Sequence, residues 1–99
     1  MAEHARLVRL TRFYPDDSQR QAAISEMQAL VDRYRDVEGC FGAQVCTIEE
    51  EPGAVAVISR WESAEALRRL QGTDAARDVQ DRLARVLTQP GKSEHFTSV

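Results

Sequence analysis

The spacing of apolar and polar positions changes several times along the chain, and each change marks an element. Residues 6–13, Arg-Leu-Val-Arg-Leu-Thr-Arg-Phe, are rich in β-formers and predict a first strand. Tyr14-Pro15-Asp16-Asp17 breaks it. Ser18 followed by Gln21 has the spacing of a capping box, so a helix is expected to open there. Ala23, Met27, Leu30, Tyr34 and Val37 recur at steps of three and four, and Ile24 and Val31 widen the stripe. That period predicts an amphipathic helix over 18–38. Gly39 suits a left-handed cap at its end. Phe41–Ile48 reads as a second strand, 49–53 as an acidic turn and Ala54–Trp61 as a third strand. The short turn makes the two a hairpin. The nearly unbroken apolar run of the third strand implies burial on both faces. Ser63 is the expected N-cap of a helix over 64–71. After Gly72-Thr73-Asp74, Ala76, Val79, Leu83, Val86 and Leu87 mark one face of a third helix, with Pro90-Gly91 as its stop. Residues 93–99 alternate enough for a short final strand.

The resulting order is βαββαβ with an extra helix before the last strand. It predicts an α+β, ferredoxin-like fold: an antiparallel sheet with its helices on one face, in a single domain over residues 1–99. The uncovered face is expected to carry Leu7, Phe13, Ala54, Ala56 and Ile58, with Arg9 and Arg60 on the same side pairing with carboxylates across the interface. An apolar face of that size points to a homodimer of two sheets packed together.

Composition narrows the function. Hydrophobic residues make up 42% and charged residues 29%, as in a globular protein rather than a disordered one. The net charge of −3 argues against the basic face that nucleic acid requires. No apolar run reaches the ~20 residues of a membrane span. Residues 1–6 lack the apolar stretch of a secretory signal, so a cytoplasmic location is expected. Cys40 and Cys46 match no redox or zinc spacing and are expected to be reduced, half-buried thiols. His4 and His95 are the only imidazoles, one near each end of the chain, and are expected to lie far apart, which disfavours a metal site. The carboxylates of Glu49–Glu51 have no ordered ligand spacing and read as a solvated turn.

The segments Val37-Glu38-Gly39-Cys40-Phe41-Gly42 and Ser59-Arg60-Trp61-Glu62-Ser63-Ala64-Glu65-Ala66-Leu67 sit between a first strand, a long helix and a hairpin. Over residues 6–99 this arrangement resembles the antibiotic biosynthesis monooxygenase domain family. The resemblance implies a dimeric α/β barrel. It also implies either a cofactor-free oxygenase of polycyclic phenols and quinols, a haem-degrading enzyme, or a member without known activity. Of the residues that such oxygenases use around the third strand, Trp61 is retained, while Val57 and Leu67 stand where an Asn and a Tyr are expected. For the haem-degrading members, Val8, Leu70 and about Gln80 stand at the functional positions. No histidine lies between residues 5 and 94, so no proximal iron ligand is implied.

The candidate site is therefore a pocket between helices and sheet, with an apolar wall of Val8, Leu10, Met27, Val57, Leu67 and Leu70. Trp61 either stacks on a planar substrate or anchors the second helix. The Tyr34 hydroxyl either meets a substrate oxygen or satisfies a core partner. Ser59, two residues before Trp61, is a polar handle on the same strand face or a partner for nearby backbone. Arg12, sharing a face with Val8 and Leu10, either pairs with a phenolate at the pocket mouth or is solvated. Three functions remain open at this point. They are a cofactor-free, metal-free oxygenase of a small aromatic substrate, a non-catalytic binder of an apolar ligand, and a structural dimer whose pocket is filled by its own side chains.

Overall fold

A computed structural model of the chain describes residues 6–99. His4 and the rest of the N-terminal residues lie outside that range. Strand β1 runs Leu7–Pro15, helix α1 Arg20–Arg35, β2 Cys40–Thr47, β3 Val55–Trp61, α2 Ala64–Gln71, α3 Asp74–Ala84 and β4 Leu87–Thr97. The strands form one antiparallel sheet in the order β2-β3-β1-β4. The three helices cover one of its faces, and the fold is the ferredoxin-like α+β type expected from the element order.

Local chemistry explains most boundaries. The Ser63 hydroxyl accepts from the Ala66 amide at 3.2 Å and opens α2, while Thr73 does the same for α3. The expected capping box at Ser18 does not form. Asp16 takes both the Ser18 amide, at 2.9 Å, and its hydroxyl, at 2.6 Å, and so caps a short 3-10 turn over 17–19. α1 starts only after that turn and ends at Arg35, before residue 38. Gly39 follows with φ +90, and a Cβ there would stand 2.7 Å from the Ala66 Cβ. Both the backbone conformation and the approach of α2 therefore require glycine.

The core is a layer between helices and sheet. Met27, Leu30, Val31 and Tyr34 from α1 meet Val55, Val57 and Trp61 from β3, closed by Leu67 and Leu70 of α2 and Val79 and Leu83 of α3. β3 is buried along its helix side but on both sides only near its start, over residues 55–57. Beyond that Ile58 is half-buried and Arg60 exposed, so the burial on both faces that its apolar run implies holds for part of the strand only. Ala56, on the face away from the helices, is only 1% exposed because Arg12 and Cys46 flank it in register.

Two expectations are corrected. First, β1 has the opposite phase. Leu7 pairs with Trp61, Arg9 with Ser59, Thr11 with Val57 and Phe13 with Val55. Directly paired residues share a face. Leu7, Arg9, Thr11 and Phe13 therefore point toward the helices, and Val8, Leu10 and Arg12 point away. Leu7 and Phe13 pack against the core instead of forming the open face. That face carries Val8, Leu10 and Ile58, joined by Phe96, which pairs with Val8 and is 48% exposed. Second, Pro90-Gly91 does not stop α3. The helix ends at Ala84, and Pro90-Gly91 lies inside β4, which is far longer than residues 93–99. An edge strand accepts proline. Gly91 fits because the Phe13 ring would come within 2.9 Å of a Cβ there. β4 also shifts register against β1 between Arg12 and Pro15.

Candidate functional site

The helices leave the β1–β4 side of the sheet only partly covered, and a cleft opens there beneath α1 and α3. Its inner end is a cavity of about 130 Å³ with polar walls from Arg9, Thr11, Tyr34, Gln80 and Ser93. Phe13, Leu30 and Val57 supply the apolar walls. It adjoins an outer, mostly apolar cleft of about 380 Å³ that shares Phe13, Gln80 and Gly91 and continues along Leu87 and Pro90. The alternation of β1 sets this arrangement: Arg9, Thr11 and Phe13 are successive residues of one face.

The polar groups are tied together. Arg9 Nη1 donates to the Tyr34 hydroxyl at 3.3 Å and Nη2 donates to Ser93 Oγ at 3.1 Å. Ser93 Oγ and Thr11 Oγ1 share a hydrogen bond of 2.9 Å. The Arg9 Nε is buried and has no acceptor. No Asp or Glu among the described residues forms an ion pair with this guanidinium. Burial pushes the Tyr34 phenol above its ordinary value, and the charge and hydrogen bond of Arg9 offset part of that rise. Tyr34 thus stays a neutral hydroxyl at physiological pH, holding the guanidinium in place.

Each residue singled out from the sequence has a definite position. Tyr34 and Val57 line the inner cavity. Trp61 and Ser59 do not. Trp61 is fully buried, donates from Nε1 to Ser59 Oγ at 2.8 Å and meets Tyr34 edge-on, with ring centroids 5.5 Å apart. The pair forms the wall behind Tyr34, and its mutual hydrogen bond satisfies both buried groups. Leu67 lies elsewhere, in a separate groove under α2 with Leu7 and His95. Arg12 points to the opposite side of the sheet, 2.7 Å from Glu94 and 3.9 Å from Glu51, because β1 has the other phase. Val8 and Leu10 leave the pocket wall for the same reason. Arg9, assigned from the sequence to the far face, is the central group of the cleft.

Thr11 and Ser93 are not among the site residues expected from the sequence, and Gln80 enters there only at a position of the haem-degrading members. Thr11 takes its face from the pairing of β1 with β3, and Ser93 from the pairing of β4 with β1; no local sequence signal sets either register. Once Trp61 is placed on the helix side, an antiparallel partner strand puts Leu7, Arg9 and Thr11 there as well. Cys40 and Cys46 form no disulfide and point to opposite sides of β2, opposite Trp61 and Ala56 respectively. Among the described residues no three His, Cys, Asp or Glu side chains gather as metal ligands, and no helix is long and apolar enough to cross a membrane.

A helix-covered antiparallel sheet in this strand order, with a polar-ended cleft under its helices, defines a ferredoxin-like α+β architecture. The family model for antibiotic biosynthesis monooxygenases matches residues 6–82, and the chain belongs to that family. The match spans β1 to most of α3 and stops short of β4. Solved structures extend the likeness of fold to the whole sheet. The Rv0793 protein of Mycobacterium tuberculosis superposes with a TM-score of 0.85 at 19% identity, over 94% of each chain. PA3566 of Pseudomonas aeruginosa gives 0.83 at 18%, over 100% of this chain and 99% of that one. A Caulobacter crescentus protein, named as a candidate antibiotic biosynthesis monooxygenase, gives 0.87 at 16%, over 96% and 91%. At such identities the likeness is one of fold. No relative is found among curated proteins.

Proposed function

We propose that this chain is a cofactor-free oxygenase that takes a small aromatic substrate into the cleft beneath α1 and α3. The observation that carries the reading is the cleft itself. It is open and apolar along its outer part, and it ends in Arg9 with four further polar side chains around it. Apolar pockets with a few aimed polar groups are the usual form of small-molecule sites. A scaffold whose pocket is filled by its own side chains has no such opening.

The chemistry asks little of the protein. An electron-rich substrate that has lost a proton gives one electron to dioxygen. The two radicals combine into a hydroperoxide on the former C–H carbon. Loss of water then leaves a carbonyl there, with one oxygen atom in the product and the other in water. No external reductant is consumed. The chain's part is to hold the substrate anion and keep water away. The Arg9 guanidinium stabilises the negative oxygen, Tyr34 and Ser93 orient Arg9, and Phe13, Leu30 and Val57 enclose the ring.

One observation favours a second reading, a binding protein using the same cleft. The described residues that line the inner cavity include no imidazole and no carboxylate, so none of them is an evident base. Oxygen-electrode assays with a panel of phenols, quinols and fused-ring ketones separate the two. Binding with oxygen uptake supports the oxygenase. Binding without uptake supports the binder, and no binding at all sinks both.

The open face of the sheet supports a homodimer. Val8, Leu10, Ile58 and Phe96 form an apolar strip on the side opposite the cleft, and a second copy would cover it. Sedimentation is expected to give twice the 11.1 kDa chain mass.

A further inference from the structure

We infer that the cleft selects a ligand that already carries an anionic oxygen at neutral pH, an aromatic carboxylate, and seats that charge against Arg9 at its inner end. The inference rests on the cleft being a ligand site, and it adds the ligand's charge and orientation.

The argument starts from an imbalance of charge. Arg9 is half-buried, and both hydrogen-bond partners of its guanidinium, Tyr34 and Ser93, are neutral hydroxyls. The Nε donor has no partner at all. A guanidinium drawn out of water is normally matched by a carboxylate or phosphate. The chain has 16 Asp and Glu residues, and among the described ones none pairs with Arg9. The other arginine of β1, Arg12, has two such partners. The groups around Arg9 do not replace the missing anion. Tyr34 stays neutral, Thr11 and Ser93 are hydroxyls, and His95, the register partner of Arg9 on β4, brings no negative charge. The cavity thus offers a fixed positive charge with spare donors, walled by Phe13, Leu30 and Val57. Planar oxygen pairs match a guanidinium fork, and an aryl ring matches those walls.

The same lining separates carboxylate from phenol. An ordinary phenol has a pKa of about 10 and arrives neutral. With no base evident in the lining to remove its proton, its ionisation would have to come wholly from Arg9. A carboxylate arrives ionised.

The test uses the intact protein and four probes in two ring-matched pairs: benzoate with the neutral benzamide, and 2-naphthoate with the neutral 2-naphthol. Affinities are read at neutral pH by ligand-detected NMR. The two carboxylates are expected to bind roughly ten- to hundred-fold more tightly than the neutral probes, as a charge-assisted hydrogen bond implies. Arg9→Gln should remove that preference while leaving the weak binding of the neutral probes, and Arg9→Lys should restore part of it. Equal affinity for benzoate and benzamide would overturn the inference, and so would a preference that survives in Arg9→Gln. Circular dichroism of both variants checks that they fold. If Arg9→Gln is unfolded, displacement of 2-naphthoate from the parent protein by benzoate but not by benzamide supports the inference, and the reverse overturns it. Absence of oxygen uptake with the bound phenols, quinols and fused-ring ketones would count against the oxygenase alone. Binding of the neutral probes without charge preference would count against this inference alone.

Discussion

Arg9 and Arg12 share strand β1 but point to opposite sides of the sheet, and the two sides treat a guanidinium differently. Arg12 lies beside Glu94 and Glu51 on the open face, with about a third of its side chain exposed. Water and two carboxylates share its charge. Arg9 lies under the helices against three hydroxyl-bearing residues and no carboxylate. The strand, the residue type and the sheet are the same, and only the phase differs. The contrast teaches that the helix side is built to keep a positive charge uncompensated next to a cavity. The open side pairs Arg12 with carboxylates at the margin of an apolar strip. The first arrangement suits a ligand and the second suits a second copy of the chain.

The largest effect is expected from breaking the helix side where it is most rigid. Trp61 is fully buried and forms the wall behind Tyr34. Trp61→Ala should cost ~3–5 kcal/mol in urea unfolding, the usual range for truncating a buried indole. Ser59→Ala, which orphans the indole N–H, should cost ~1–2 kcal/mol. A loss under about 1 kcal/mol for Trp61→Ala would mean that the core does not depend on this wall.

Next comes the open side. Ile58→Lys places a charge in the apolar strip opposite Leu10 and Gln44. Sedimentation should then give a monomer, with benzoate binding in the cleft little changed, because the cleft lies on the other face. A dimer that persists in Ile58→Lys would show that the strip is not the contact.

How far the two sides were legible from sequence depends on what each element encodes locally. α2 reads cleanly because Ser63 caps it and its apolar positions recur on one face. Gly39 marks the turn after α1, where the backbone takes a positive φ, although the helix itself ends earlier, capped by Asp36 in a right-handed conformation and not by a left-handed Gly39. The fold follows from the order of such elements. The phase of β1 does not, because both phases carry similar residues. Leu7 and Phe13 on one side match Val8 and Leu10 on the other, and each side has an arginine. A strand without a distinctive face takes its phase from its partner, here from Leu7 meeting Trp61 in β3. That one choice moves Arg9 into the cleft and Arg12 out of it. Ser93 was hidden for a related reason. It lies within the expected final strand, but its face is set by its register with Thr11 on β1, which no local signal encodes.

A smaller effect should appear at alkaline pH. Burial holds the Tyr34 phenol and the Cys40 thiol above their ordinary values of 10.0 and 9.0. In the unfolded chain both ionise earlier than in the folded one. The folded state then binds more protons, so stability falls as pH rises. The contribution is fully present below pH 9.0 and is lost above it, first through the thiol and then through the phenol. Melting temperatures should be flat from neutrality to that point and decline beyond it. Tyr34→Phe should flatten the part of the decline above pH 10.0. A decline unchanged in that variant would assign it to other groups.

The smallest effect belongs to Arg12, and it sharpens the contrast with Arg9 most directly. The Arg12–Glu94 pair is short at 2.7 Å, yet both side chains are substantially exposed. Exposed ion pairs contribute about 0–1 kcal/mol, because water screens the attraction and ordering two long side chains costs entropy. Arg12→Gln should therefore lower stability by no more than about 1 kcal/mol, and less in high salt, where screening has already weakened the pair. Benzoate affinity should stay within about two-fold of the parent, since Arg12 faces away from the cleft and a screened charge across the sheet adds little. Arg9→Gln, made in the same strand, should show the converse pattern: a large loss of carboxylate binding in a protein that still folds. If Arg12→Gln weakens benzoate binding as much as Arg9→Gln does, the phase of β1 is not what separates the two arginines. The ligand would then have to be sought on the open face, among Val8, Leu10 and Arg12.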